Sequence, residues 1–145
     1  MDMGFIQKII LVLVPMLLCL SVHEYAHAVS AWWLGDDTAS RQGRMTLNPI
    51  SHIDIFGTLL LPILFVVSNS SFFPGWAKPV PVNPVRFTRN FKGKRVTMAT
   101  GMMITAAAGP ASNLLFGFLS ALALKLSVTM GVSEGPIFTL LLRLL

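Results

Sequence analysis

Residues 9–34 read IILVLVPMLLCLSVHEYAHAVSAWWL, and Glu24 is the one formally charged side chain among them. A transmembrane helix needs about 20 predominantly apolar residues. The stretch therefore predicts a membrane helix from Ile9 to Leu34 whose second half carries ionisable groups. The whole chain suits the same solvent. Of its 145 residues 54% are hydrophobic and 12% charged, with mean hydropathy +0.71, whereas soluble domains carry about 25% charged residues. That balance argues against a water-soluble globule and leaves room for roughly three or four membrane-embedded segments in one domain. The single cysteine, Cys19, rules out an internal disulfide framework.

A cleaved signal peptide is the competing reading of the first helix, because Lys8 precedes an apolar run. Signal cores are shorter, about 7–15 residues, and a His-Glu pair has no targeting purpose there. Beyond the helix, Gly35-Asp36-Asp37 supplies a turn. The next apolar stretch, 55–73, contains Gly57, Pro62 and the tract Ser68-Asn69-Ser70-Ser71, which leaves a solid core too short for an easy crossing. Arg41 and Arg44 precede it and Lys78 follows it, so the positive-inside tendency favours a segment that enters the membrane and returns to the same side, with a full span as the alternative. Irregular backbone at that depth requires shielding by protein or a wet cavity. Trp76 to Pro84 has prolines at 79, 81 and 84 and must be extended, with exposed backbone groups. A second membrane helix is expected from Val96 to Val128, with small residues from Thr105 to Asn113 permitting a close neighbour. Residues 134–145 open a further apolar helix.

The net charge of +5 is concentrated. Six of the eleven basic residues lie between Lys78 and Arg95, and no acid occurs from Ile55 to Ser133. A belt between apolar regions reads as a cytoplasmic, phospholipid-facing loop rather than a nucleic-acid surface.

The chemistry is concentrated in His23-Glu24-Tyr25-Ala26-His27, an H-E-x-x-H pattern. Histidines at i and i+4 lie about 40° apart around a helix, so both imidazoles leave one face and can share a zinc ion. Glu24 beside them can act as general base towards a water acidified by the metal, and then protonate the leaving amine. Three ionisable residues within five positions of a membrane helix each cost on the order of 3 kcal/mol, which favours function over a tolerated interfacial cluster.

Together with that motif, Leu47-Asn48-Pro49 with His52-Ile53-Asp54 and Gly57-Thr58, the stretch Gly75-Trp76-Ala77-Lys78-Pro79-Val80-Pro81-Val82-Asn83-Pro84, and Ala108-Gly109-Pro110-Ala111-Ser112-Asn113 appear in sequence order. From about Pro15 to Leu124 the chain resembles the short bacterial branch of the site-2 protease family, which are intramembrane zinc metalloproteases. The resemblance implies that His23 and His27 bind Zn2+ and that Glu24 is the catalytic base. It also implies that Lys78 and Val80, in a membrane-associated loop, contact substrate, and that Asn113, on the second helix, orients substrate or a neighbouring strand, a simple helix-packing role being the equal alternative for Asn113. An extended substrate segment would pair with that loop by strand addition.

One departure stands out. The family's third zinc ligand is an Asp in a Leu-Asp-Gly motif on a later helix; no such motif occurs here, and no acid follows Glu134. The expectation is that the chain is a C-terminally incomplete domain ending before that helix. Substitution by His52, Asp54, Asp36 or Asp37 is the weaker alternative: His52 reads as a loop residue fixing the Asn48-Pro49 turn, Asp54 as an N-cap, and the Asp pair as a helix-ending turn. Trp32 and Trp33 read as interface anchors, Met98, Met102 and Met103 as packing residues, and Cys19 as inert. Ser112 has no basic partner arranged for nucleophilic catalysis.

The expected protein is thus an all-α membrane protein with a site-2 protease-like transmembrane core, a re-entrant segment and an extended loop, residues 1–145 forming one domain. It would sit, multi-pass, in a bacterial inner membrane with its active site towards the cytoplasm, and cleave membrane proteins or peptides. A non-catalytic relative that binds transmembrane segments is the alternative. A metal transporter would need more His or acidic residues than the three and six present.

Overall fold

A computed structural model of the chain describes residues 4–68, 76–91, 94–132 and 134–145, the side chains of Phe5, Lys8, Asn90, Phe91 and Lys94 excepted. The leading apolar run forms α1, Phe5–Trp33, with Pro15 inside it. At 1.5 Å per residue its 29 residues extend about 43 Å, longer than a hydrocarbon core of about 30 Å. α1 stops where the turn residues predict. Gly35 has φ +110°, the Asp36 N–H donates to the Ala31 carbonyl at 2.9 Å and the Gly35 N–H to the Trp32 carbonyl at 3.0 Å. This is the paired closure of a Schellman stop, which satisfies the last carbonyls of a helix.

After α1 come α2, Thr38–Arg41, and a 3₁₀ turn, Pro49–His52. A π-helical stretch, Ile55–Leu60, runs into α3, Leu61–Val67. Strands β1, Asn90–Phe91, and β2, Lys94–Arg95, form a small antiparallel ladder with Asn90 opposite Arg95. α4, Met98–Thr129, is the second long helix, and α5, Pro136–Arg143, follows it. The short helical stretch Ile55–Val67 would rise only about 20 Å, less than a crossing requires. Of the predicted re-entrant segment and loop, residues 69–75 lie outside the described residues, as do Lys92 of the basic belt and Ser133.

α1 and α4 are both long and apolar enough to cross a membrane. Only 17% and 6% of their most apolar windows are buried, whereas the core helix of a soluble protein would be covered. Leu114, Leu115 and Phe118 of α4 and Ile6 and Ile10 of α1 are exposed, as lipid-facing residues are. The chain is an all-α membrane protein. Met98, Met102 and Met103, expected to pack, are exposed instead; hydrocarbon offers these side chains an environment as favourable as a core.

The chain divides into two compact units. One comprises Leu20–His52 and Lys78–Asn113. Its small apolar core is Ala31, Leu34, Phe87 and Val96, with Val82 packed against them. The fully buried Asp36 carboxylate accepts from the Thr38 N–H and hydroxyl and, at 2.6 Å, from the Asn83 N–H. Asp37 pairs with Arg41 at 2.6 Å and with Arg86 at 2.5 Å. Against desolvation, which would raise it, those guanidinium groups hold the Asp37 carboxyl below the usual carboxylate range.

The other unit comprises Met1–Cys19, Ile53–Ala77 and Leu114–Leu145. Here Asp54 caps the π-helical stretch: its Oδ1 accepts from the Phe56 and Gly57 N–H groups at 3.1 and 2.8 Å. The Asp54 N–H in turn donates to Thr58 Oγ1, whose hydroxyl donates to the Trp76 carbonyl. The capping role read from sequence is therefore what Asp54 performs.

Candidate active site

His23, Glu24 and His27 lie on the part of α1 within the first of these units. The i,i+4 spacing brings the two imidazoles edge to face, with ring centroids 4.6 Å apart and planes at 82°. α4 faces them with residues at twice that spacing. The His27 Nδ1 donates to the Thr105 carbonyl at 2.6 Å, and the His23 Nδ1 lies 3.2 Å from the Asn113 amide nitrogen. Since 105 pairs with 27 and 113 with 23, α1 and α4 pass one another antiparallel here.

Gly109 falls midway between those contacts. A Cβ built on it would stand 2.4 Å from His27 Nε2 and 2.6 Å from His23 Nε2. Both free ring nitrogens thus converge on the space that a larger residue would fill. The small-residue stripe of α4, legible as a close-packing signal, keeps this gap open. Neighbouring Ser112 donates its hydroxyl to the Gly109 carbonyl at 2.7 Å, a bond within its own helix.

Glu24 is 8% exposed, and its Oε2 accepts from the Val80 N–H at 2.9 Å. The extended segment after Ala77 therefore lies against the carboxylate. Its backbone was expected to be exposed; most of it is engaged. The Lys78 N–H donates to the His52 carbonyl at 3.1 Å, and the Asn83 N–H to Asp36. Arg44 holds the other side, donating to the Ser51 carbonyl and, at 2.6 and 3.2 Å, to the carbonyls of Lys78 and Pro79. Three proline rings force the chain straight and remove donors, so the fastening falls to the few remaining amides and to Arg44.

The expected site residues are placed as follows. His23, Glu24 and His27 come together; Val80 joins Glu24 through its backbone, and Asn113 joins His23. Lys78 is tied by its backbone to His52, its side chain exposed. His52 is buried and its Nε2 donates to the Thr46 carbonyl at 2.8 Å, the loop role read from sequence. Sequence reasoning missed Thr105, Gly109 and Arg44. The four-residue spacing of 105, 109 and 113, matching that of 23 and 27, was the signal available for the first two.

Imidazole nitrogens suit zinc, and the fit to such an ion is partial. Two Nε2 atoms converge on one gap with both Nδ1 atoms engaged, the arrangement by which outer contacts orient ligating histidines. Among the described residues no group of three His, Cys, Asp or Glu side chains could hold a metal ion, and catalytic zinc ordinarily has three protein ligands.

The chain is similar to curated proteins. It is 40% identical over 126 residues to "Putative zinc metalloprotease YwhC" of Bacillus subtilis, covering 87% of this chain and 50% of that protein. To "Putative zinc metalloprotease Rip2" of Mycolicibacterium smegmatis it is 30% identical over 117 residues, 81% of this chain and 40% of that one. The Mycobacterium tuberculosis protein of the same name is 30% identical over 102 residues, 68% of this chain and 39% of its own length. The chain spans half or less of the length of these relatives. No family model and no solved structure matches it.

Proposed function

The chain belongs to the site-2 protease family, and from that premise we propose that it serves zinc-dependent hydrolysis of peptide bonds within or beside the membrane. The observation that carries the proposal is the convergence of His23 Nε2 and His27 Nε2 over Gly109, with Glu24 on the same helix. A bound zinc ion supplies a Lewis acid for the scissile carbonyl and lowers the pKa of water towards 7.

The chain's own residues do the rest. His23 and His27 hold the ion, and the reading requires a further protein ligand in addition to them. Glu24, anchored through Oε2 by Val80, keeps Oε1 for the proton of the attacking water and delivers it to the leaving amine nitrogen. Its burial strengthens each of these interactions by excluding bulk water. A helical substrate must unwind before its carbonyl can be attacked, and the extended segment around Lys78 and Val80 offers a backbone for it to lie along. The basic residues from Lys78 to Arg95 are read as facing anionic headgroups on the cytoplasmic side of a bacterial inner membrane.

The test is metal analysis and cleavage of a membrane-helix peptide by the full protein in liposomes. Glu24→Gln should retain zinc and lose cleavage, whereas His23→Ala and His27→Ala should lose both. Cleavage by Glu24→Gln, or undiminished zinc in the histidine variants, would overturn the proposal. A folded wild-type protein that takes up no zinc would instead be a non-catalytic relative that holds membrane segments.

A further inference from the structure

An imidazole ligates through a lone pair, so the hydrogen of a neutral ring must sit on its other nitrogen. For His27 the answer is set by its neighbour. The Thr105 carbonyl can only accept, so the Nδ1 that meets it at 2.6 Å carries the hydrogen and Nε2 keeps its lone pair.

His23 meets a side-chain amide instead. With Asn113 Nδ2 towards the ring, the amide donates to Nδ1, and the ring hydrogen is left on Nε2. The two rings would then present unlike nitrogens, one lone pair and one N–H, to the same gap over Gly109. That orientation has a second consequence: Asn113 Oδ1 is buried with no hydrogen-bond partner, so it has given up water without gaining a protein donor in exchange. Turning the amide by half a revolution exchanges oxygen and nitrogen with almost no change of shape. Oδ1 then accepts from His23 Nδ1–H, and both histidines offer lone pairs to the same point.

We propose that Asn113 is a positioning residue which presents Oδ1 to His23 and fixes its Nδ1–H tautomer, as the Thr105 carbonyl does for His27. Thr105, Gly109 and Asn113, four residues apart on α4, thus act as a template for the histidine pair: two acceptors flank one gap. The inference rests on the zinc reading for its purpose, but the tautomer belongs to the metal-free protein and can be judged there.

The experiment is nuclear magnetic resonance of the metal-free full protein with isotope-labelled histidine, whose ring-carbon shifts report which nitrogen bears hydrogen, paired with zinc affinity measured by chelator competition. Wild type should show Nδ1–H at both His23 and His27. Asn113→Leu should lose that preference at His23 alone and weaken zinc binding about 10- to 100-fold. Asn113→Asp, which can only accept, should restore both the tautomer and the affinity. An Nε2–H signature at His23 in wild type, or wild-type zinc affinity in Asn113→Leu, would overturn the inference. Should Asn113→Leu fail to fold, the wild-type signature still decides. If wild type binds no zinc, the protease reading fails, and the His23 signature judges Asn113 separately.

Discussion

The backbone N–H of Val80 donates to Oε2 of Glu24 at 2.9 Å, across 56 residues of chain. A straightened, proline-rich segment thereby holds one oxygen of a buried carboxylate and orients the other. Val80→Pro removes that donor while keeping the extended backbone, and Val80→Ala keeps it. A hydrogen bond to a charged group is worth about 1.5–3 kcal/mol, so Val80→Pro should lower the cleavage rate about 10- to 100-fold relative to Val80→Ala. Zinc content should be the same in both. Equal rates for the two variants would separate Glu24 from the segment.

Gly109→Ala sets two effects against each other. Alanine is the better helix former by about 1 kcal/mol, yet its Cβ would stand 2.4 and 2.6 Å from the two Nε2 atoms. Thermal unfolding in detergent should show α4 undamaged while zinc titration shows binding lost. Retained zinc affinity would mean that the gap is not where the ion sits.

Arg44 grips the carbonyls of Ser51, Lys78 and Pro79. Arg44→Leu should free the extended segment, and hydrogen exchange at the Val80 and Asn83 amides should accelerate at least about tenfold, corresponding to the loss of one charged hydrogen bond. Arg44→Lys should fall between, since an ammonium is a point charge without the planar fork. Unchanged exchange in Arg44→Leu would assign the fastening to Glu24 and Asp36 alone.

Gly35 closes α1 at φ +110°, and a Cβ there would meet Thr88 Oγ1 at 2.4 Å. Gly35→Ala combines a disfavoured backbone with a clash, and should destabilise the fold by about 1–3 kcal/mol. Denaturant or thermal unfolding reads this directly, and no loss of stability would show that the α1 stop can rearrange.

What could be read in the sequence was local. The membrane helices, the stop at Gly35, the cap at Asp54 and the shared face of His23 and His27 each follow from residues within a few positions of one another. The bond from Val80 to Glu24, the bond from Asn83 to Asp36 and the three carbonyls held by Arg44 join distant parts of the chain through backbone atoms, which every residue type carries. Composition and spacing cannot register such contacts. Asn113 lay between the two cases: its type marked it as polar within a membrane helix, but only the antiparallel passage of α1 and α4 brought it to His23.

Prolines at 79, 81 and 84 have one more effect. With the Lys78, Val80 and Asn83 amides already committed to His52, Glu24 and Asp36, a guest polypeptide alongside this stretch meets carbonyls and the single hydrogen of Val82. It cannot be zipped down as it would be at an open sheet edge. Such a seat would grip lightly, so the proposed cleavage would leave its ends held at few points.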